Sequence, residues 1–143
     1  MNDEIIIRAM KESDLEKVLQ LWRIVLNSVV LKNFVTKEIL IDYLKRNPEV
    51  SSVACTFEGK LIGALLCGHD GIRGFIYNIA IYNEYGIKCI GEMMIKHSLS
   101  ELKKVAINTG FIFTQSSDSG LEELWNSIGW VVIPDTAYFY KEV

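Results

Sequence analysis

The spacing of hydrophobic and polar positions changes several times along the chain, and each change predicts a new element. A β-branched run over Glu4–Arg8 predicts a strand. Ser13 and Glu16 form a capping-box pattern, and the apolar positions after them recur at helical spacing, which predicts a helix of about four turns. A second helix is expected from Thr36 to Asn47, because a proline follows and the residue before proline avoids the α region.

The middle of the chain predicts an antiparallel meander. Ser52–Phe57 and Leu61–Gly68 are strand-like runs joined by a short link that contains a glycine, which is typical of a hairpin. His69–Gly71 is a second turn signal, and Gly74–Tyr82 should form the third strand.

The last third of the chain predicts a crossover and a closing pair of strands. A helix is expected before the strand Phe111–Gln115, which should therefore run parallel to the strand before that helix. Ser119 begins another capping box, and Gly129 is placed to end that helix as a left-handed cap. Val131–Ile133 and Ala137–Tyr140 should be strands. The whole pattern predicts a mixed α/β sheet with helices available for both faces.

Composition and charge narrow the class of protein. The chain has 143 residues, half of them hydrophobic and only two of them proline, which favours one folded domain over residues 1–143. Its apolar runs are too short to span a membrane, and its N-terminus lacks the basic region of a signal peptide. A net charge of −3 argues against nucleic-acid binding. Three cysteines without CxxC spacing predict reduced thiols and a cytoplasmic location.

Three segments resemble those of the GNAT-superfamily N-acetyltransferases, and together they cover nearly the whole chain. The first joins Ile5–Arg8 to Ser13–Leu15, like the family's opening strand and its entry to the first helix. The second runs from Gly68–Gly71 through Tyr77–Tyr85 and resembles the family's hairpin and its strand ending in "LAVxPxY". The third, Leu124–Trp130, is similar to the closing "FYxxxGF".

The resemblance implies a GNAT-like acyl-CoA N-acyltransferase fold and a site for acetyl-CoA. In that family, the strand ending near Ile81 splays from the next parallel strand, and its exposed N–H groups receive the pantetheine arm. The following turn and helix N-terminus hold the pyrophosphate, because unpaired amides and the helix dipole favour an anion. The residues implied to bind acetyl-CoA are Ile79, Ala80, Ile81, Gly86, Ile87, Lys88, Cys89, Ile90, Gly91, Asp118 and Trp125.

The implied pyrophosphate loop departs from the family's pattern Gln/Arg-x-x-Gly-x-Gly/Ala. Gly86 replaces the first basic or amide residue, and Cys89 replaces the central glycine. A Cβ at position 89 would crowd a phosphate that approaches the backbone, although Lys88 offers a positive charge. Two interpretations stay open: the cofactor binds with some rearrangement, which we favour, or the site has decayed.

Candidates for acid and base chemistry are few. His69 is the better base candidate of the two histidines, although a turn residue of this kind is more often simply solvated. Trp125 stands where many family members place an acidic tyrosine, and indole cannot replace it. Tyr77 could donate a hydrogen bond in the cleft, and either Tyr138 or Tyr140 could replace the missing phenol. Asp118 stands where an asparagine often contacts the cofactor, and we expect it to be an ordinary polar residue before a helix cap. Isolated histidines and scattered cysteines predict no metal site.

The leading interpretation is an N-acetyltransferase that moves an acetyl group from acetyl-CoA to a primary amine of a small molecule or a protein, by direct attack in a ternary complex. The alternative is a non-catalytic acyl-CoA-binding or sensing domain on the same fold, which the two departures motivate. A third interpretation is an interaction domain in which the strand around Phe139 pairs with a second subunit, giving a homodimer. No motif in the sequence identifies the acceptor amine.

Overall fold

The structure is a computed structural model, and it describes residues 4–26, 35–113, 123, 125–137, 139–141 and 143, with the backbone alone at residue 87. The chain divides into two compact units, one ending at Phe113 and the other beginning after it. The first unit contains the described sheet and its helices, and the candidate site described below is built from it.

The elements of the first unit follow the order that the hydrophobic pattern predicts. The strands are β1 (Ile5–Ala9), β2 (Ser52–Thr56), β3 (Leu61–His69), β4 (Gly74–Ile81) and β5 (Gly110–Ile112). The helices are α1 (Leu15–Val25), α2 (Lys37–Arg46) and α3 (Ile87–Lys104), with short 3-10 turns at Glu12–Asp14 and Asn83–Tyr85.

The sheet confirms the predicted meander and crossover. Its strand order is β1-β2-β3-β4-β5, with antiparallel pairing from β1 to β4. β5 pairs parallel with β4, in a register that sets Phe75 opposite Phe111. The connection between these two strands is the long helix α3, as a parallel pair requires. The predicted mixed α/β fold class is therefore confirmed.

Helices cover both faces of the sheet. Val53 of β2 belongs to a buried cluster with Leu21 of α1 and Leu40 of α2. Its neighbour Ser52 points the other way, and the Ser52 Oγ donates to the carbonyl oxygen of Met94 on α3 at 3.1 Å. Since successive side chains of a strand face opposite sides, α1 and α2 lie on one face and α3 lies on the other.

The first helix begins by a different device from the predicted capping box. Ser13 lies inside the 3-10 turn, and the helix starts at Leu15. The Asp14 carboxylate accepts the backbone N–H of Lys11 at 2.8 Å and two hydrogen bonds from the Arg8 guanidinium at 2.8 and 2.9 Å. A carboxylate held by a bidentate arginine makes stronger hydrogen bonds than a neutral hydroxyl would, so Asp14 organises this turn in place of Ser13.

The second helix begins and ends where the sequence predicts. The Thr36 Oγ1 accepts the N–H of Ile39 at 3.2 Å, which is an ordinary N-cap. At the other end, the Asn47 side chain donates to the carbonyl of Tyr43 at 3.3 Å and accepts the N–H of His69 at 3.0 Å. Asn47 therefore ties the end of α2 to the end of β3.

The second unit confirms one prediction and corrects another. A helical turn at residues 125–127 ends at Gly129, whose φ is +98° and whose N–H donates to the carbonyl of Asn126 at 3.3 Å. The predicted strands Val131–Ile133 and Ala137–Tyr140 were wrong for the described residues there, which lie outside any strand. A strand needs a neighbouring ladder for its N–H and C=O groups, which apolar alternation alone does not supply.

Candidate active site at the end of strand β4

β4 contains a bulge at Asn78, in the middle of the strand. Ala64 of β3 pairs with Ala80, but Leu66 pairs with Tyr77, so two residues of β4 occupy the place opposite one residue of β3. Asn78 has a φ of +52°, in the left-handed region. Asparagine adopts this backbone conformation more readily than most residues do, which allows the bulge to form here.

Before the bulge, the even-numbered residues of β4 bond toward β5. The N–H of Gly74 donates to the carbonyl of Thr109 at 2.8 Å. The carbonyl of Ile76 accepts the N–H of Phe113 at 3.3 Å. If the strand were regular, the N–H groups of the later even-numbered residues would point the same way.

After the bulge, the odd-numbered residues point toward β5 instead. The N–H of Tyr82 donates to the carbonyl of Ile62 on β3 at 3.0 Å, so Ala80, two residues earlier, also bonds toward β3. The N–H groups of Ile79 and Ile81 therefore point to the β5 side, beyond the described parallel pairing of residues 74–76.

The chain then enters α3 through a glycine. Gly86 has φ +76° and ψ 137°, and no side chain among the described residues makes a cap hydrogen bond at this helix start. A positive φ is free of strain only for glycine. The first N–H groups of a helix have no partner inside the helix, and the aligned peptide dipoles add a positive potential there. The first turn of α3 is therefore suited to an anion.

The side chains of this turn divide between solvent and core. Lys88 and Cys89 are exposed, and Ile90 and Gly91 are buried. Cys89 carries a free thiol. The third residue of α3 therefore brings a Cβ and a thiol to the solvent side of the turn in which the unpaired N–H groups lie.

A groove of about 330 Å³ lies beside the carboxyl end of β4, on the face covered by α1. The Nζ of Lys60 is 5.7 Å from the ring centroid of Tyr85, within the range of a cation–π contact. The groove thus joins cationic side chains to the segment that leads into α3. Its lining residues are Lys17, Gln20, Lys60, Leu61, Tyr82 and Glu84.

Solved structures share this architecture, although no protein-family model and no curated protein matches the sequence. Among solved structures, an aminoglycoside acetyltransferase from an uncultured soil metagenomic sample is 20% identical, with a TM-score of 0.74 and coverage of 97% of this chain and 96% of that one. A GNAT-family acetyltransferase from Streptococcus pneumoniae is 17% identical, with a TM-score of 0.70 and coverage of 97% and 98%.

The chain has the GNAT fold. The match extends over nearly the full length of both proteins, which confirms the resemblance read from the three sequence segments. A transcriptional regulator from Bacillus halodurans also matches, at 14% identity with a TM-score of 0.75 and coverage of 96% and 100%. Identities this low establish the fold alone.

Within the GNAT fold, the predicted cofactor residues of the first unit lie along one continuous stretch. Ile79–Ile81 form the end of β4, and residues 86–91 form the start of α3, with one 3-10 turn between them. Ala80 differs from its two neighbours, because its backbone bonds toward β3 and its side chain packs in the buried cluster with α1.

His69 lies at the opposite end of β4 from α3. It pairs with Gly74, four residues before the bulge, which is about 13 Å along the strand. The His69 Nδ1 accepts the N–H of Gly71 at 3.0 Å, which places the imidazole's acceptor nitrogen inside its own turn. Hydrogen bonds from the N–H groups of Arg73 and Ile72 lower the pKa of Asp70 beside it.

Tyr77 lies one residue before the bulge, on the face that α1 and α2 cover. Its ring packs partly against the buried cluster and stacks on the ring of Phe113, with centroids 5.2 Å apart. Tyr43 of α2 packs against the same cluster, and burial raises the pKa of its phenol. The phenol nearest the bulge thus belongs to an aromatic and largely apolar surface.

Three predicted site residues do not join this stretch. Asp118 and Tyr138 lie outside the described residues, as does the cap expected at Ser119. Trp125 lies in the second unit, on the helical turn before Gly129.

Sequence reasoning missed two features of this region. The bulge at Asn78 was one, and an asparagine among apolar and β-branched residues in a strand is the signal that could have indicated it. The other is the pair of groove lysines, Lys17 and Lys60, which lie 43 positions apart in the sequence and meet only through the packing of α1 on the sheet.

Neither a metal site nor a membrane-spanning helix is found among the described residues. No group of three histidine, cysteine or acidic side chains among them could hold a metal ion. None of the described helices is both long enough and apolar enough to cross a membrane.

Proposed function

We propose that this protein is an acetyl-CoA-dependent N-acetyltransferase acting on a primary amine. The observation that carries the proposal is the bulge at Asn78, which turns the N–H groups of Ile79 and Ile81 toward the β5 side of β4. Five residues after Ile81, the same segment ends at the uncapped N-terminus of α3. Donors for a carbonyl and donors for a phosphate thus follow each other along one stretch of chain.

In this proposal, acetyl-CoA supplies a thioester; the amine nitrogen forms a bond to its carbonyl carbon, the C–S bond breaks, and CoA leaves. The N–H groups of Ile79 and Ile81 orient the pantetheine arm and polarise the carbonyl. The first turn of α3 binds the pyrophosphate, with Lys88 as an additional positive charge. The fit is incomplete at Cys89, because its Cβ and thiol occupy the side of the turn where a glycine would leave room.

The attacking amine must lose a proton, and the leaving thiolate must gain one. We assign both transfers to water rather than to His69, since the acceptor nitrogen of that imidazole already receives the N–H of Gly71. The phenol of Tyr77 remains the nearest protic side chain to the bulge among those that we propose for the site.

Two measurements on the full chain test the proposal. Isothermal titration with acetyl-CoA up to about millimolar concentration should show saturable binding, and a broad panel of amines should include one that releases CoA above the hydrolysis background. CoA should be quantified by chromatography rather than with a thiol reagent, because Cys89 is itself an exposed thiol. No binding at millimolar cofactor would refute the proposal.

A second candidate function is a non-catalytic acyl-CoA-binding or sensing domain. Two observations favour it. Cys89 crowds the first turn of α3, and the Nδ1 of His69, the base candidate, already accepts the N–H of Gly71. The same two measurements distinguish the candidates. Acetyl-CoA binding without CoA release from any amine would support the sensing domain, and steady CoA release would reject it.

Three further expectations accompany the proposed function. We propose a cytoplasmic location, since the cysteines found in the described residues, Cys55, Cys67 and Cys89, are free thiols. We propose that residues 1–143 act as one GNAT-like domain.

We also propose a homodimer formed through the chain around Phe139, a residue that is 89% exposed. Sedimentation at high protein concentration tests this proposal.

A further inference from the structure

The groove at the carboxyl end of β4 has an apolar floor and a charged rim. Leu61 belongs to the buried cluster with α1, and Tyr82 packs against that cluster, so these two side chains form the floor. At about 330 Å³, the groove is near the lower end of the range of about 300–1,000 Å³ that small-molecule pockets occupy. The other described lining residues are polar and exposed, which leaves the groove open to solvent: Lys17, Gln20, Lys60 and Glu84.

Local structure fixes the backbone of both groove lysines. Lys17 lies in α1, three positions before Gln20 and therefore on the same side of that helix. Lys60 closes the β2–β3 turn, because its carbonyl accepts the N–H of Thr56 at 2.8 Å and its own N–H donates to the Thr56 Oγ1 at 3.1 Å. The Lys60 Nζ also lies over the ring of Tyr85. Two well-defined elements thus bring their ammonium groups to one groove.

The charges that line the groove are not neutralised by neighbouring side chains. Among the described residues, Lys17, Lys60 and Glu84 form no ion pair. Two lysines and one glutamate give the lining a formal charge of +1, although the whole chain carries −3. A singly charged carboxylate balances this lining, whereas a phosphate dianion would exceed it and would be repelled by Glu84. The groove therefore favours a carboxylate.

The groove also lies next to the proposed site of acetyl transfer. Tyr82 directly follows Ile81, and the side chains of Ala80 and Tyr82 both pack on the face that α1 covers. Ile79 lies three residues before Tyr82, which is about 10 Å at the spacing of a strand. A molecule held in the groove by a carboxylate can therefore bring an amine at its other end to a thioester at Ile79, provided that a flexible chain separates the two groups.

We infer that the groove binds the carboxylate of the acceptor, and that the acceptor is an amino acid whose reacting amine lies at the far end of a flexible chain. This inference rests on the proposed acetyltransferase function and names its substrate class. Lys17 and Lys60 attract the carboxylate, and the apolar floor packs against the methylene chain. The transfer step is unchanged: the C–N bond forms, the C–S bond breaks and CoA leaves. A polyamine would instead bring further positive charge to the lysines.

The test compares two acceptors that differ in charge. 6-Aminohexanoate and 6-aminohexanamide have the same chain and the same terminal amine, but only the first carries a carboxylate. With the full chain and acetyl-CoA at about 20 mM salt, kcat/KM should be roughly fivefold higher for 6-aminohexanoate, since exposed charges contribute modestly. The ratio should fall toward one at about 500 mM salt, which screens those charges. A ratio at or below one at low salt would overturn the inference.

Four substitutions then locate the preference. Lys17→Gln and Lys60→Gln each remove one groove cation and should lower the ratio about two- to threefold. Glu84→Gln removes the opposing charge and should raise the ratio. Lys45→Gln is the matched control, because it makes the same substitution at an exposed lysine of α2 outside the groove, and it should leave the ratio unchanged. Thermal unfolding checks that each variant is folded. Equal effects of Lys45→Gln and the two groove substitutions would also overturn the inference.

Binding without turnover separates this inference from the proposed function. Ligand-observed NMR with the full chain and CoA compares the affinities of the two acceptors directly. If no amine releases CoA but 6-aminohexanoate binds more tightly than 6-aminohexanamide, and Lys17→Gln removes the difference, the proposed function fails and the carboxylate site stands. If amines are acetylated but the carboxylate gives no advantage in rate or in binding, the inference fails and the proposed function stands.

Discussion

At the scale of single residues, the backbone of Asn78 determines which groups of β4 are available to a ligand. Its left-handed conformation inserts one extra residue into the strand. The insertion exchanges the directions of all later N–H groups and also brings Tyr77 and Ala80 to one face, although they are three positions apart. No change of side-chain chemistry at Ile79 or Ile81 could have the same effect.

Substitution of Asn78 should separate the backbone requirement from side-chain chemistry. Asn78→Val should lower the free energy of unfolding by about 1–2 kcal/mol and reduce CoA release, because a β-branched residue resists a positive φ. Asn78→Gly should keep both near the wild-type level. Urea unfolding and the acetylation assay check this expectation, and equal behaviour of the two variants would contradict it.

The Asp14 carboxylate should make stability depend on pH. Burial raises the pKa of Asp14, but hydrogen bonds from Arg8 and from the Lys11 N–H outweigh it, so the pKa lies below its ordinary value. The contribution is therefore complete above the unfolded-state pKa of about 4 and disappears as the pH falls through the lower folded-state pKa.

Asp14→Asn should accordingly cost about 1–3 kcal/mol of unfolding free energy at pH 7. The difference from wild type should narrow below about pH 4, because the Asp14 carboxyl is protonated first in the unfolded chain and, at lower pH, in the folded protein as well. Urea unfolding at pH 7 and at about pH 3 measures both values. Asp42→Asn, at an exposed carboxylate on α2, should change stability by less than about 0.5 kcal/mol at either pH.

At the scale of elements, the start of α3 combines a favourable backbone with an unfavourable side chain. Gly86 provides the positive φ and an uncapped first turn, and Lys88 provides charge. Cys89 places a side chain where close approach to the backbone needs none. The sequence pattern identified this conflict, and the structure locates Cys89 on the exposed side of the turn.

Cys89→Gly should tighten acetyl-CoA binding by about three- to tenfold if the Cβ is what crowds the phosphate. Cys89→Ala is the matched control, because it removes the thiol and keeps the Cβ, and it should leave the Kd near the wild-type value. Isothermal titration gives both constants. Tightening by alanine as well as glycine would assign the effect to the thiol instead.

At the scale of the whole molecule, a net charge of −3 opposes the approach of a polyanionic cofactor. In the function that we propose, acetyl-CoA binding therefore depends on local positive potential at the first turn of α3 and at Lys88. This potential is exposed, so salt should screen it.

Lys88→Gln should raise the Kd for acetyl-CoA by about two- to fivefold at low ionic strength and by less at high salt. Lys96→Gln, an exposed lysine two turns further along α3, should have little effect because the helix-end potential is confined to the first turn. Titrations at about 20 mM and 500 mM salt test the expectation. Equal effects of the two variants would argue that only overall charge matters.

The sequence by itself determined the order of strands and helices in the first unit, with its antiparallel meander, its parallel crossover and the start of α2 at Thr36. These follow from local periodicity, turn residues and caps, which act over a few positions and can be read one segment at a time. The resemblance to the GNAT fold followed from the same local segments taken in order.

Only the tertiary structure decided the features that depend on distant partners. The pairing of Arg8 with Asp14 displaced the predicted cap at Ser13, and the register between β3 and β4 revealed the bulge at Asn78. The stacking of Phe75 on Phe111 likewise depends on the parallel pairing that sets these two residues side by side. Local pattern specifies which elements form. Strand register and charge pairing are set by contacts between elements, and these contacts decide where the N–H groups of the site point.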